Sequence, residues 1–183
     1  MGLFGGLSSV KISLRPAVVD FHGGYYNIRG LVWSRQEVMD FNRILVPVAG
    51  TEADDEATRL ACRFARRTKG KIRAIYVITL KRSLPLDADI ESETRRAEEI
   101  LARAQSVADE EDYEVETDLL QAREAGPPIV EEAVEHNVDL ILMGIKYKRA
   151  FGQFSLGSVV PYILENAPCR VILYHQYTAP VSE

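Results

Sequence analysis

The chain has 183 residues, of which 46% are hydrophobic, 27% charged and 8% aromatic, the composition of an ordinary globular protein rather than a disordered or repetitive one. Its net charge of −5 carries no basic tract, which argues against sequence-independent nucleic-acid binding and against docking on an anionic membrane. Cys62 and Cys169 form no CxxC pair and His22, His136 and His175 have no metal-ligand spacing, so both cysteines are expected to be reduced thiols in the core, without a metal site. No apolar run approaches the ~20 residues of a membrane span. The opening Met1-Gly2-Leu3-Phe4-Gly5-Gly6 has neither the early positive charge of a signal peptide nor the Ser or Thr of a myristoylation signal. A soluble, cytoplasmic protein is the expectation.

Residues 1–40 form a first segment, an N-terminal extension. Val10-Lys11-Ile12-Ser13-Leu14 alternates, Asp20 to Gly24 signals a turn, and Tyr25 to Trp33 has the composition of one further strand, which together predict a β-hairpin-like extension. Its aromatic residues (Phe21, Tyr25, Tyr26, Trp33) suit docking, on the following domain or on a second subunit.

From Phe41 the pattern changes to alternating strands and helices. Arg43 to Val48 is a β-rich run. Thr51 or Asp54 can cap a helix through Ala57, Leu60, Ala61 and Phe64 to Thr68, where Lys69-Gly70 stops it. Ile72 to Ile78 is a second strand, and an amphipathic helix spans about Asp89 to Asp109, with Ile90, Ala97, Ile100, Leu101, Ala104 and Ala108 inward. Its acidic end, Asp109-Glu110-Glu111-Asp112, reads as solvated.

Val115, Thr117 and Leu119 alternate as a third strand, and Gly126-Pro127-Pro128 opens a helix through Ile129, Val130, Ala133 and Val134. His136 falls in its last turn, where the helix dipole explains it. Val138 to Met143 is the fourth strand, with Asp139 a local backbone cap, and a polar loop leads to Gly157-Ser158 and a last helix. Cys169 to Tyr174 is the fifth strand, and 177–183 a C-terminal tail. Such a β-α alternation predicts an open, doubly wound five-stranded parallel sheet with helices on both faces and the ligand at the carboxyl ends of its strands, after Val48, Val77 and Met143.

The strongest chemical signal is Gly144-Ile145-Lys146-Tyr147, followed by the loop to Gly157-Ser158. Glycine after a strand lets the backbone approach a ligand, and Gly-Ser opening a helix offers N–H groups, a hydroxyl and the positive dipole end to a phosphate. Lys146, Lys148 and Arg149 add three positive charges.

From Asn42 to Tyr174 the chain resembles the universal stress protein family. The resemblance rests on Ile44-Leu45-Val46-Pro47-Val48, Ala74-Ile75-Tyr76-Val77, Val138 to Gly144, Phe151 to Val159, and Ala167-Pro168-Cys169-Arg170-Val171-Ile172. In the nucleotide-binding branch the last loop reads G-x2-G-x9-G-[S/T]; Gly144, Gly157 and Ser158 match it, and Tyr147 replaces its second glycine. The family's Val-Pro-Val-Asp-Gly-Ser is here Pro47-Val48-Ala49-Gly50-Thr51, so Ala49 stands where a carboxylate would accept a bond from the nucleotide. Losing such a bond costs about 1.5–3 kcal/mol, which Thr51 offsets in part. The resemblance implies the sheet order 3-2-1-4-5 over residues 41–176. It also implies ATP or a related adenine nucleotide held by Pro47, Val48, Ala49, Thr51, Val77, Met143, Gly144, Lys146, Tyr147, Gly157, Ser158 and Val159, with Mg²⁺ or Mn²⁺ accompanying the phosphates. A dimeric stress-response regulator with an unidentified protein partner follows, two copies meeting through the last strand at Val171 and Leu173, with residues 10–33 contributing. The alternatives are a nucleotide-free dimeric interaction module, with Tyr147 filling the pocket, and a slow nucleotide hydrolase. Against the latter, the Walker pattern GxxxxGK[ST] is missing, as are the phosphate loop and paired signatures of ligating relatives, and no catalytic residue is assigned.

Overall fold

The computed structural model describes residues 11–13, 25–28, 31–34, 40–81, 83, 85, 91–145, 148–150 and 153–175. The chain divides into two compact units, 1–39 and 40–183. In the first, β1 (Lys11–Ser13), β2 (Tyr25–Ile28) and β3 (Leu31–Ser34) form an antiparallel sheet with β3 central. The expected single strand over 25–33 is two strands paired with each other; they stand two residues apart in sequence, Arg29 and Gly30, a spacing that suits a tight antiparallel connection.

The second unit is built on five strands: β4 (Arg43–Pro47), β5 (Lys71–Thr79), β6 (Val115–Ala122), β7 (Leu140–Ile145) and β10 (Arg170–His175). They are parallel throughout, in the spatial order β10-β7-β4-β5-β6. Counted within the domain this is 3-2-1-4-5. Four helices connect them: α1 (Glu52–Thr68), α2 (Glu91–Glu110), α3 (Gly126–Glu135) and α4 (Val159–Asn166).

Strand residues divide by parity between two cores. Ile44, Val46, Ile72, Ala74, Leu140 and Leu142 pack with α1 and α2, whereas Leu45, Ile75, Ile141 and Met143 pack with α3 and α4. Both faces of the sheet are therefore covered, which is why the central strands read as unbroken apolar runs. On α1 the buried positions Ala53, Ala57, Ala61 and Ala65 are all small, and Cys62 lies beside them. Alanine has the highest helix propensity and the smallest side chain above glycine, so the helix can lie close to the sheet. Cys62 and Cys169 are free thiols, the first buried and the second half-buried; burial pushes the Cys62 thiol up to about 11.

Three expectations change in detail. Lys69, not Gly70, takes the left-handed turn that ends α1 (φ +54); Gly70 is required because a Cβ there would lie 2.8 Å from the Phe41 carbonyl oxygen. The acidic end of α2 is paired rather than simply solvated, with Arg59 reaching Glu110 at 2.8 Å and Arg63 reaching Glu111 at 3.3 Å across to α1. Asp139 caps a distant backbone: its carboxylate accepts the N–H groups of Asn42 (2.8 Å) and Arg43 (3.2 Å), and its own N–H donates to the Arg43 carbonyl (3.0 Å). It locks the start of β7 to the start of β4.

Candidate functional site

At the carboxyl end of the sheet β4 and β7 part company. They pair only at Ile44–Leu140 and Leu45–Ile141, whereas β4 follows β5 as far as Pro47–Ile75, and the Val48 N–H donates to the Ile75 carbonyl at 2.9 Å. The strand order reverses between these two strands, and the carboxyl end at such a point is the usual ligand position in sheets of this kind.

The first wall is the β4–α1 turn. Ala49 is exposed, Gly50 takes φ +83, and Thr51 is the N-cap of α1. Asp54, at the third position of the helix, accepts the N–H groups of Thr51 (2.7 Å) and Ala49 (3.0 Å) through Oδ2. The Thr51–Asp54 spacing is that of a capping box, although the buried Thr51 hydroxyl is left without a hydrogen bond of ordinary geometry. Burial pushes the Asp54 carboxyl above its usual range, and the two N–H groups oppose the shift. Sequence reasoning noticed Asp54 only as a possible cap; the T-x-x-D spacing was the available signal.

The second wall is the segment from β7 to α4. A Cβ on Gly144 would lie 2.4 Å from the Ala53 carbonyl carbon and oxygen and 2.6 Å from the Asp54 nitrogen. Glycine is needed here so that the first turn of α1 can sit against β7. The expected polar loop contains two short antiparallel strands, β8 (Lys148–Ala150) and β9 (Gln153–Ser155), with Arg149 opposite Phe154. Lys146 and Tyr147 lie outside the described residues.

The third wall is the N-terminus of α4. Gly157 has φ +71, which favours glycine, and a Cβ there would meet no atom within 4 Å. Ser158 is exposed, sits at the N-cap and makes no side-chain capping bond, and no acidic residue occupies the first turn. The other helix starts with described caps differ. The first turn of α1 carries Glu52, Asp54 and Asp55, and α3 begins Gly126-Pro127-Pro128, two residues without an N–H. In α4 only Pro161 withholds a donor.

The remaining predicted residues contribute less as side chains. Val48 is buried on the α1–α2 side of the sheet, Met143 is buried on the other, and half-buried Val77 packs against the same cluster as Met143. All three are core side chains. Pro47 and Val159 are half-buried at the end of β4 and the start of α4.

A cavity of about 310 Å³ lies at the opposite, amino end of the strands, lined by Arg43, Lys71, Arg73, Glu116, Glu135 and His136 among others. Arg73 is committed there to ion pairs with Glu116 (2.6 Å) and Asp118. Glu132, Glu135 and His136 come together beside it, His136 Nε2 lying 3.1 Å from Glu132 Oε2, a grouping that exposed acidic residues commonly form without a bound cation.

Residues 40–175 match the sequence model of the Universal stress protein family, three quarters of the chain. The chain belongs to the universal stress protein family. A curated universal stress protein of Methanocaldococcus jannaschii is 28% identical over 155 residues, covering 81% of this chain and 89% of that protein. Among solved structures, a universal stress protein from Archaeoglobus fulgidus shares the fold with a TM-score of 0.62 at 24% identity, covering 72% of this chain and 97% of its own. A structure of the universal stress protein from Archaeoglobus fulgidus in complex with dAMP gives 0.60 at 23%, with coverage of 74% and 99%. The five-stranded order and the four helices are those of universal stress proteins.

Proposed function

We propose that this universal stress protein binds an adenine nucleotide, ATP in the first instance, at the carboxyl ends of β4, β5 and β7, and acts as a dimeric, cytoplasmic regulator of a stress response. The observation that carries this reading is the start of α4: a left-handed glycine facing open space, a serine whose hydroxyl makes no capping bond, and a first turn without acids. Those features leave the N–H groups of the first turn of α4 and the positive end of the helix dipole for a phosphate. The first turn of α1 is occupied by the chain's own carboxylates, so the phosphates belong at α4 and the nucleoside toward the β4–α1 turn. Fold relatives in complex with dAMP, cAMP and AMP support the choice of an adenine nucleotide. Mg²⁺ or Mn²⁺ would ride on the phosphate oxygens; among the described residues no metal-capable cluster lies at this end.

Dimerisation is assigned to β10. It is an edge strand paired only with β7 among the described residues, and Val171 and Leu173 on it are half-buried. An apolar edge is normally covered, and a second copy paired about a two-fold axis covers it.

The nucleotide reading is tested by Gly157→Val under ATP titration calorimetry. A branched side chain at φ +71 costs about 1–2 kcal/mol of local strain and fills the open space at the phosphate position. ATP affinity is expected to fall by at least about tenfold, as for a lost charge-assisted hydrogen bond. Unchanged affinity removes α4 from the site.

A further inference from the structure

Asp54 is 4% exposed and forms no ion pair among the described residues, yet two N–H groups of the β4–α1 turn converge on one of its oxygens. The Thr51 bond is that of a helix cap. The Ala49 bond is not: it reaches five residues back, beyond the helix start, to the far side of the Gly50 turn. Asp54 itself is held from three sides. Its N–H donates to the Thr51 carbonyl (3.0 Å), its carbonyl accepts the Thr58 hydroxyl (2.8 Å), and the missing Cβ of Gly144 lets β7 close against its backbone.

We propose that Asp54 is the positioning residue of the nucleotide-facing turn, fastening residues 49–51 from inside α1. The inference rests on the nucleotide reading for its consequence, but not for its geometry. Gly50 would otherwise leave the turn many conformations, because a glycine populates positive and negative φ about equally. One oxygen accepting two N–H groups restricts it to the observed one. With the N–H groups of Ala49 and Thr51 turned inward, neither is available to a ligand. What the turn requires is an acceptor at this position; an amide oxygen would serve as well as a carboxylate.

The test compares the full chain with Asp54→Asn and Asp54→Ala. In the ligand-free protein, amide hydrogen exchange at Ala49 and Thr51 should be slow in the native chain and in Asp54→Asn, and faster by about tenfold or more in Asp54→Ala, as expected when a hydrogen bond is lost from a locally opening segment. ATP affinity by calorimetry should follow the same order, with Asp54→Asn within about threefold of native and Asp54→Ala weaker by about tenfold. If Asp54→Ala does not fold, Asp54→Ser replaces it, since its hydroxyl is too short to reach Ala49. Native exchange rates in the Ala or Ser variant overturn the proposal. So does Asp54→Asn behaving like Asp54→Ala, because the charge and not the acceptor would then be what the turn uses. A native chain that ignores ATP while showing the amide contrast defeats the nucleotide reading and supports the fastening.

Discussion

Asp54 holds a carboxylate where water scarcely reaches, and its protonation is therefore tied to folding. Burial raises its carboxyl above the 3.8 of a free aspartate, helped by the nearby Asp55 charge and opposed by the N–H groups of Thr51 and Ala49. A raised native value means that the folded chain holds the proton more tightly than the unfolded one. Its contribution to stability is then greatest below 3.8 and is lost as pH rises through the native value. Asparagine does not titrate, so the stability difference between the native chain and Asp54→Asn should drift in favour of the variant with rising pH, then level off. Urea midpoints measured from acid to neutral pH check this; a flat difference, or a drift favouring the native chain, contradicts it. Nothing in the spacing of single residues shows that Asp54 reaches Ala49, because that bond depends on the φ +83 turn at Gly50 folding the loop back over the helix start.

Among the elements, the contact between α1 and β7 decides how this end of the sheet is shaped. The backbone of Gly144 is pressed against Ala53 and Asp54. Gly144→Ala places a Cβ 2.4 Å from backbone atoms, which cannot swing aside as a flexible side chain can. The start of α1 must shift, and the expected cost is about 1–3 kcal/mol, the range for an overpacked core. Thermal unfolding of the variant reads this; a melting temperature equal to the native one shows that the helix start gives way freely. The strands and helices of this domain are legible in sequence because each long apolar run or 3.6-residue stripe is buried by a neighbouring layer. The pair β8 and β9 is not legible in this way. Each has three residues, too few to establish an alternation, and their pairing follows from the return path between β7 and α4. The ion pairs between α1 and the acidic end of α2 escape for a similar reason: the partners are about fifty residues apart and meet only once both helices lie on the same face.

At the scale of the 40–183 unit, covered faces and the edge strands of the described sheet bear on assembly. Helices cover both faces of the parallel sheet, leaving β6 and β10 as its edges. Leu173 lies on β10 opposite Met143 of β7, with its side chain against the α3–α4 core. Leu173→Lys would set a charge at the half-buried rim of that core, where a folded monomer can keep it in contact with water and a dimer formed along this edge would bury it unpaired, at a cost of several kcal/mol. Light scattering should show a dimer for the native chain at tens of micromolar and a shift toward monomer for the variant. A native monomer, or a dimer indifferent to the substitution, places the assembly on another surface.

The proposed nucleotide site is tested most directly by what the chain carries when purified. Protein isolated without added nucleotide is denatured, and the released small molecules are identified by absorbance and mass spectrometry; the same preparation, stripped, is titrated with ATP. Adenine nucleotide near one equivalent per chain, or saturable ATP binding to the stripped protein, is the predicted result. A preparation that releases no nucleotide and does not bind added ATP contradicts it.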